Sequence, residues 1–428
     1  MKPVDQLFGS PNPAAPQSPL LPELRVAIVH DWLVSYAGAE RVTTEILRLF
    51  PQADLYSVVD FRTPEDLARM DGRRARTTFI QRLPGARTRY RGYLPLMPLA
   101  VEQLDLAQYD LVLSSSHAVA KGVITGPHQL HIAYVHSPMR YAWDLQHQYL
   151  RESKLEAGVR SWLARWLLHR VRLWDLRTAN GVDHFVANSH FIRRRVEKVY
   201  RRDAVVVHPP VDVDAFDFHA AKDDYFMTAS RLVPYKRVEL IVEAFARMPD
   251  RRLVVVGDGP EFARIRARCT SNVTMCGYLP QAELRARMQR ARAFVFAAEE
   301  DFGIVAVEAQ ACGTPVIAFG RGGNLETVRV SGDRTTTGMF FPEQTADALC
   351  TAVRAFDAGP AIDPHACRAQ AERFATPRFR EAFARIVTQR WNEFARDEGA
   401  APAVAPLRSA SSSPAPTRPA AGGVAARF

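Results

Sequence analysis

Short apolar runs recur along the chain and alternate with longer segments in which apolar residues follow a helical spacing. The first run, Arg25–His30, leads into a polar loop and then into a helical pattern from Ala39 to Phe50. Strand-length apolar runs that alternate with helices are typical of parallel sheets covered by helices on both faces. The pattern therefore predicts a β-loop-α entry into a doubly wound α/β sheet.

The strand-like runs form two series. The first series comprises Arg25–His30, Ala53–Val59, Leu111–Ser114, Ile132–His136 and His184–Ala187. The second series comprises Asp224–Ala229, Leu253–Val256, Val273–Cys276, Ala293–Ala297 and Pro315–Ala318. Two adjacent prolines, Pro209 and Pro210, separate the series and mark a linker. We therefore predict two Rossmann-like domains that face each other across a cleft, with ligands at the carboxyl ends of the strands.

Composition divides the chain into four segments. Residues 1–22 are rich in Pro, Ser and Ala, and residues 399–428 in Pro, Ala, Ser and Gly, so we expect both to be disordered. Residues 23–208 form the predicted N-terminal domain, and residues 209–398 form the predicted C-terminal domain.

Two helices after Asp363 are expected to close the C-terminal domain. The second begins at a Thr-Pro pair, with Thr376 as N-cap and Pro377 at the first helical position. Proline is tolerated there because the N–H that it lacks would have no partner within the helix.

The expected compartment is the cytoplasm. The longest apolar runs, such as Leu253–Gly257, fall far short of the roughly 20 residues that span a bilayer, so no transmembrane helix is predicted. The start of the chain lacks the continuous apolar stretch of a secretory signal. The five cysteines are odd in number and show no CxxC spacing, so we expect them to be reduced, without disulfide or zinc.

The formal net charge of +10 comes largely from arginines in the first half of the chain. They cluster in Arg82–Arg91, Arg160–Arg177 and Arg193–Arg202, and no zinc-finger, RRM or helix-turn-helix signature accompanies them, so nucleic acid is not an expected partner. In Arg160–Arg177, tryptophans such as Trp162 and Trp166 interleave with the arginines. This mixture suits an anionic bilayer surface, although the tryptophans could instead pack into the core.

The segment Ala293–Gly313 carries the most informative chemistry. A buried strand runs into an acidic loop, and Gly303 then opens an apolar helix whose free N–H groups suit a phosphate or a sugar. Glu308 is a carboxylate within that apolar helix, and such a group is costly unless it accepts strong hydrogen bonds. The two hydroxyls of a ribose would supply them. The alternative is a structural carboxylate that caps a neighbouring helix or pairs with an arginine.

Two further strand ends carry matching features. Arg231 and Lys236 follow the first strand of the C-terminal domain, where two cations can grip a diphosphate, although such a pair can also be a solvated surface. Gly257 and Gly259 form a turn after the next strand, where backbone can approach a ligand closely. The three features together favour a binding site for a nucleotide sugar.

These residues resemble the family-4 retaining glycosyltransferases of GT-B fold. The resemblance covers Arg25 to about Asp397 and rests on the E-x7-E of Glu300 and Glu308, the CGTPVIA that follows, and Gly322-Gly323 with Glu326. It implies that residues 23–208 bind the acceptor and residues 209–398 the nucleotide-sugar donor. Within the donor site, Arg231 and Lys236 would hold the diphosphate and Glu308 the ribose. The residues that the resemblance assigns to the transferred sugar are Glu300 and the backbone of Phe302, Gly303, Ile304 and Val305.

The N-terminal half resembles the same family. HDWLVSYAGAER, at residues 30–41, is similar to the family's glycine loop, with Gly38 kept and Ala37 in place of the preceding glycine. YVHSPMRYAWD, at residues 134–144, resembles bacterial mannosyl- and rhamnosyltransferases that build O-antigen and exopolysaccharide. This match implies that His136 lies near the sugar and the attacking hydroxyl, whereas a lone histidine at a strand end can also be structural.

The resemblance implies transfer of a hexose with retention, with GDP-mannose as the preferred donor and a UDP- or dTDP-linked sugar as the alternative. The acceptor would be a glycan or a polyprenyl-diphosphate-linked saccharide, and contact with the inner face of the membrane follows from the second. No cofactor is expected. Asp212-Val213-Asp214 is a DxD, but it falls at the linker, where the family has a similar acidic turn, so no metal is expected either.

Three rival classes remain. A sugar-nucleotide epimerase shares the GT-B architecture, but the chain shows none of its motifs. A non-catalytic scaffold would be expected to have lost Arg231, Lys236 or Glu308, and all three are present. A dinucleotide dehydrogenase needs a GxGxxG after the first strand, where this chain has HDWLVSYAG.

Overall fold

The computed structural model describes residues 19–398, which form two parallel sheets, each with buried apolar residues on both of its faces. The predicted disorder of residues 1–18 and 399–428 lies outside the described residues. Residues 19–22, predicted to belong to the N-terminal extension, instead pack on the first domain. Leu20 N–H donates to Leu49 O at 2.9 Å, and the Leu21 side chain is buried.

The N-terminal domain has a seven-stranded sheet in the order β3-β2-β1-β4-β5-β6-β7. Its strands are β1 (Val26–His30), β2 (Asp54–Ser57), β3 (Arg76–Thr77), β4 (Leu111–Ser116), β5 (Leu130–Val135), β6 (His184–Ala187) and β7 (Ala204–Val206). Its helices are α1 (Gly38–Leu49), α2 (Pro64–Arg69), α3 (Ala86–Arg89), α4 (Met97–Glu102), α5 (Gln146–Glu152), α6 (Val159–Thr178) and α7 (His190–Tyr200).

The C-terminal domain has a six-stranded sheet in the order β10-β9-β8-β11-β12-β13. Its strands are β8 (Phe226–Ala229), β9 (Leu253–Val256), β10 (Val273–Gly277), β11 (Ala293–Phe296), β12 (Val316–Phe319) and β13 (Gly338–Phe341). The helices are α8 (Val238–Ala246), α9 (Phe262–Arg266), α10 (Gln281–Arg290), α11 (Ile304–Ala311), α12 (Asn324–Thr327), α13 (Ala346–Ala358), α14 (Pro364–Glu372) and α15 (Thr376–Asp397).

Both sheets confirm the predicted doubly wound fold. Strand order reverses between β1 and β4 in the first sheet and between β8 and β11 in the second. In such sheets ligands bind outside the carboxyl ends of the strands at the reversal point. The site is therefore expected where the loops after β1 and β4 face those after β8 and β11.

The last helix, α15, was predicted to close the C-terminal domain, but it packs on the N-terminal domain. In α15, Phe379, Phe383 and Val387 are buried in the core of the N-terminal domain, and Arg380 Nε donates to Glu45 Oε2 of α1 at 2.5 Å. The helix thus ties the two domains together. Its N-cap is Ala375 instead of Thr376, because Thr376 is already the first residue of the helix, and the Thr376 hydroxyl donates to Val211 O.

Within the described part of the chain, no helix combines the length and apolar character needed to cross a membrane. All five cysteines are free thiols, and Cys312, Cys350 and Cys367 are buried.

Candidate active site

The two domains meet at the loops that follow their strands. Asp301, after β11, lies between three residues of the N-terminal domain. Its carboxylate accepts from Arg140 and, at 3.4 Å, from Arg195, and its backbone carbonyl accepts from Ser189 Oγ at 2.6 Å. Arg140 belongs to the YVHSPMRYAWD motif, so these bonds hold that motif against the loop predicted to bind the donor sugar.

The segment from Glu300 to Val305 packs directly against Gly322 and Gly323. Gly323 N–H donates to Glu300 O at 2.7 Å. A Cβ at Gly323 would stand 2.4 Å from the Phe302 Cα, so no other residue fits this close approach. The pair therefore fixes the path of the loop that leads into α11.

Lys236 lies in a one-turn 3-10 helix after β8 and reaches this loop. Its Nζ is 2.5 Å from Glu300 Oε1 and 5.6 Å from the centroid of the Phe296 ring. Burial alone would lower the pKa of Lys236, but the adjacent Glu300 carboxylate raises it above its usual value. Lys236 is therefore a fixed cation. The structure thus brings together Lys236 and Glu300, two of the predicted site residues.

Glu308 is almost fully buried in α11 and is paired. Arg41 Nη1, from α1 of the N-terminal domain, donates to Glu308 Oε1 at 2.9 Å. Burial raises the pKa of Glu308, and the Arg41 charge opposes that rise. This is the arginine pairing that the sequence left open beside the ribose interpretation. Ribose binding at Glu308 would require Arg41 to move or to share the carboxylate.

Gly38 and Ile304, both predicted to contact the donor, lie against each other. A Cβ at Gly38 would stand 3.0 Å from Ile304 Cδ1. Gly38 begins α1, and Ile304 begins α11 after the left-handed Gly303, so the two helix N-termini meet at the cleft. Both ends carry the partial positive charge that suits an anionic ligand.

Gly257 and Gly259 pack closely against the backbone on either side of Arg231. A Cβ at Gly257 would stand 1.9 Å from Ser230 O, and one at Gly259 would stand 2.5 Å from Leu232 O. The turn after β9 therefore packs directly on the loop that carries Arg231. The sequence predicted close approach to a ligand, and the structure shows close approach to the neighbouring loop.

His136 directly follows β5 and is held on both sides. Ser115 Oγ lies 2.8 Å from its Nε2, and Asn188 Nδ2 donates to its backbone carbonyl at 3.0 Å. Burial, together with the nearby His117 and His30, lowers the pKa of His136 well below its usual value. The imidazole is therefore neutral near pH 7 and can either donate or accept a hydrogen bond.

Several polar residues of the cleft were not singled out from the sequence. They are Asp31, Glu40, Arg41, His117, Arg140, Arg195 and Asp301. A sequence signal existed for Asp31, His117 and Asp301, since each closely follows a buried strand. Arg41 and Arg140 lie within motifs that were recognised, but their partners belong to the other domain and could not be assigned.

The two carboxylates of the DxD lie in different surroundings. Asp214 is exposed and lies 3.4 Å from Arg368, whereas Asp212 is half-buried near Arg41, and burial raises its pKa. Among the described residues, His190, His208 and Glu326 form a group of possible metal ligands. The Glu326 carboxylate, however, accepts from the backbone N–H groups of residues 190 and 191 at 2.8 and 2.9 Å, so it caps α7. That cap explains the position of Glu326 without a metal.

Two Rossmann-like domains, with facing helix N-termini and a cation–carboxylate pair at the reversal point of the second sheet, define a GT-B glycosyltransferase architecture. A family model described as Glycosyltransferase Family 4 matches residues 36–215, and one described as Glycosyl transferases group 1 matches residues 213–374. The chain belongs to the family-4 glycosyltransferases of GT-B fold.

Curated relatives match over part of their length. The D-inositol 3-phosphate glycosyltransferase of Mycobacterium avium (strain 104) is 29% identical over 226 residues, which cover 47% of this chain and 53% of the relative. The GDP-mannose-dependent alpha-(1-6)-phosphatidylinositol monomannoside mannosyltransferase of Mycolicibacterium smegmatis is 30% identical over 208 residues, covering 41% and 53%. The chain thus spans about half the length of the curated relatives that it matches.

Solved structures share the fold. Anabaena HepE in complex with UDP and glucose superposes with a TM-score of 0.62 at 16% identity, covering 85% of this chain and 99% of HepE. Sucrose-phosphate synthase from Thermosynechococcus elongatus gives a TM-score of 0.61 at 18% identity, covering 87% and 100%. At these identities the likeness establishes the GT-B fold.

Proposed function

We propose that the protein transfers a hexose from a nucleoside diphosphate to an acceptor hydroxyl, with retention at the anomeric carbon. The observation that carries this proposal is the half-buried Lys236–Glu300 pair, which places a fixed cation beside the loop expected to hold the sugar. Arg231 lies in the same loop after β8. A diphosphate that departs next to these cations would be stabilised as its negative charge grows.

Attack on the same face as the leaving group fits the site better than a covalent intermediate. A retaining enzyme that forms a glycosyl-enzyme needs a carboxylate free to act as nucleophile. The three buried or half-buried carboxylates after β11 are each paired with a cation: Glu300 with Lys236, Asp301 with Arg140 and Arg195, and Glu308 with Arg41. Glu299, the remaining carboxylate of this loop, is exposed. In this mechanism the departing diphosphate takes the acceptor proton, and His136 orients the reacting groups.

GDP-mannose is the donor that we favour. The YVHSPMRYAWD motif resembles mannosyltransferases, and one of the curated relatives is described as GDP-mannose-dependent. A UDP- or dTDP-linked sugar is the alternative. The roles proposed for Glu308 toward the ribose, and for Gly38 and residues 302–305 toward the phosphates and sugar, hold for any of these donors.

We further propose that the acceptor is a saccharide linked to a polyprenyl diphosphate and that α6 rests on an anionic membrane surface. Six large apolar side chains of this one helix are exposed: Val159, Trp162, Leu163, Trp166, Leu173 and Leu176. At the 3.6 residues per turn of an α-helix these positions fall on one side and therefore share one face of the helix. Arg160, Arg170 and Arg177 are exposed on the same helix, and an apolar face flanked by arginines fits anionic lipid.

Incubation with radiolabelled GDP-mannose, UDP-glucose and dTDP-rhamnose, with and without a bacterial lipid extract, tests the proposal. We expect one donor to label the lipid fraction, with the anomeric configuration kept in the product. Conversion of a donor to another nucleotide sugar without acceptor would indicate an epimerase. Failure to bind or turn over any donor would contradict the proposed transferase and favour the scaffold.

A further inference from the structure

Asp31 and His117 form a pair that the proposed reaction leaves unused. Asp31 follows β1 and His117 follows β4, and these parallel strands pair with His30 opposite Ser115. Both residues therefore lie at the carboxyl end of the N-terminal sheet, where the cleft is. His117 Nδ1 is 2.9 Å from Asp31 Oδ2, and the ring centroid of His136 is 6.3 Å from that of His117.

Asp31 is anchored much more firmly than a surface carboxylate. Its side chain is fully buried, and its oxygens accept from the backbone N–H groups of residues 117, 118, 119 and 120 at 2.6, 3.0, 2.6 and 2.6 Å. Burial opposes ionisation, but the adjacent His117 and its backbone N–H hold the pKa of Asp31 far below its usual value. Asp31 is thus a fixed negative charge that orients the imidazole.

His117 has a second ring nitrogen available to a ligand. Nδ1 faces Asp31, and within residues 19–398 no hydrogen bond reaches Nε2 on the other side of the ring. The side chain is 29% exposed, so it is open to the cleft on that side. The Trp32 indole meets the imidazole edge-on at 4.6 Å and fixes the plane of the ring.

We propose that His117 is an acceptor-binding residue whose Nε2 accepts a hydrogen bond from the acceptor hydroxyl, with Asp31 as its positioning residue. This inference rests on the proposed transferase function and adds a second histidine to the acceptor side, beside His136. The alternative is that the Asp31–His117 pair only stabilises the loop after β4. The four backbone donors already satisfy Asp31, so the loop after β4 does not need the imidazole.

The charge of His117 is set by its neighbours. The titratable and charged groups that face it are Asp31, Glu40, Arg140, His30 and His136. Burial and the Arg140 charge lower the pKa of His117, whereas the carboxylates of Asp31 and Glu40 raise it. The carboxylates prevail, so the pKa of His117 lies above its usual value. Because Nε2 can accept a hydrogen bond only when it is unprotonated, transfer should slow as the pH falls through this raised pKa.

Two substitutions separate the roles of the two ring nitrogens. His117→Asn places an amide near Nδ1, which keeps the bond to Asp31 but removes the atom that faces the cleft. His117→Gln extends an amide toward the position of Nε2. Wild type and both variants are assayed with the donor that labels lipid, using the lipid extract as acceptor. Calorimetry measures donor binding, and hydrolysis in the absence of lipid measures transfer to water.

We expect His117→Asn to bind and hydrolyse the donor within about twofold of wild type while transfer to lipid falls on the order of 10- to 100-fold, the value of one hydrogen bond to substrate. His117→Gln should keep more transfer and should lack the acid limb of the pH profile, since an amide does not titrate.

Transfer by His117→Asn at the wild-type rate would overturn the inference, because the bond to Asp31 would then be sufficient. Persistence of the acid limb in His117→Gln would assign that limb to another group and would equally contradict it. A wild type that binds no donor contradicts the proposed function itself, and that measurement does not involve His117.

Discussion

Arg41 of the N-terminal domain donates to Glu308 of the C-terminal domain at 2.9 Å, and both side chains are nearly inaccessible to solvent. The pair spans the cleft at the position where the family resemblance expects a ribose. A buried ion pair is strongly destabilised when only one partner is removed, because the remaining charge is left in a dry environment. Removal of either residue should therefore destabilise the fold, but only the removal of Glu308 should weaken donor binding.

Glu308→Ala should weaken nucleotide-sugar binding and nearly abolish transfer. It should also lower the free energy of unfolding by about 3–5 kcal/mol, since the Arg41 charge loses its carboxylate. Arg41→Met leaves Glu308 free for the ribose, so donor affinity should be kept. Calorimetry with the donor and thermal unfolding on both variants measure these effects. Wild-type transfer by Glu308→Ala would contradict the donor-site assignment.

Lys236→Ala should lower the rate of transfer more than the affinity for the donor. The charge that Lys236 meets develops in the transition state, so its loss should appear mainly in kcat. Lys154→Ala, at an exposed position, is the matched control and should behave as wild type. An unchanged kcat with a weakened donor affinity would show that Lys236 only binds the ground state.

Activity should survive EDTA, because Arg231 and Lys236 are the cations proposed to balance the diphosphate. Asp212→Asn together with Asp214→Asn should also remain active, since Asp214 is exposed and pairs with Arg368, whereas Asp212 is half-buried near Arg41. Steady-state rates with and without chelator provide the measurement. Complete loss of activity on chelation, restored by magnesium or manganese, would revive a metal role for the DxD.

The stability supplied by the Asp31–His117 pair should depend on pH in a defined direction. The pKa of His117 is raised in the folded protein, so the stabilisation is complete below the unfolded value of about 6.5 and is lost as the pH rises through the folded value. His117→Ala should therefore be less stable than wild type by an amount that is largest below pH 6.5 and shrinks in alkali. Chemical denaturation of both proteins from pH 5 to pH 9 measures this difference. A constant difference across that range would show that the pair does not titrate.

The sequence predicted the parts of the fold that depend on local patterns. Strand-length apolar runs located most strands of both sheets, but β3, β7 and β13 were missed, because the first two have two and three residues and β13 follows a polar stretch. The apolar face of α15 was visible as a helical pattern. The pattern does not say which core it contacts, and Phe379 and Phe383 proved to contact the other domain.

In the candidate site, too, the sequence predicted only what depends on local pattern and sheet topology. Lys236 and Glu300 could be predicted because each lies directly after a strand of the same sheet, and topology alone brings such ends together. The contacts of Arg41 with Glu308, and of Arg140 and Arg195 with Asp301, could not be predicted, because these carboxylates lie more than 100 residues away in the other domain. Pairing across a cleft depends on how the domains are placed, which no local pattern encodes.

We expect α6 to bind an anionic membrane surface. The structure shows which tryptophans of α6 are exposed and which one is packed, a distinction that the sequence left open. Trp162 and Trp166 are 66% and 47% exposed, whereas Trp174 packs on Gly122 and donates to Glu102 Oε1 at 2.7 Å. Each exposed arginine should contribute about 1 kcal/mol of attraction to anionic lipid, and the tryptophans add an apolar part that salt does not screen.

Sedimentation with anionic vesicles should therefore weaken in high salt without vanishing. Replacing both Trp162 and Trp166 with Ala should remove the salt-resistant part and leave thermal unfolding unchanged, because neither side chain belongs to the core. Trp174→Ala is the matched control, expected to unfold earlier because it leaves a cavity and an unpaired carboxylate. If the double mutant unfolds early and the wild type never sediments with these vesicles, the tryptophans belong to the core, the arginines of α6 are an ordinary solvated surface, and the acceptor must reach the cleft without this helix.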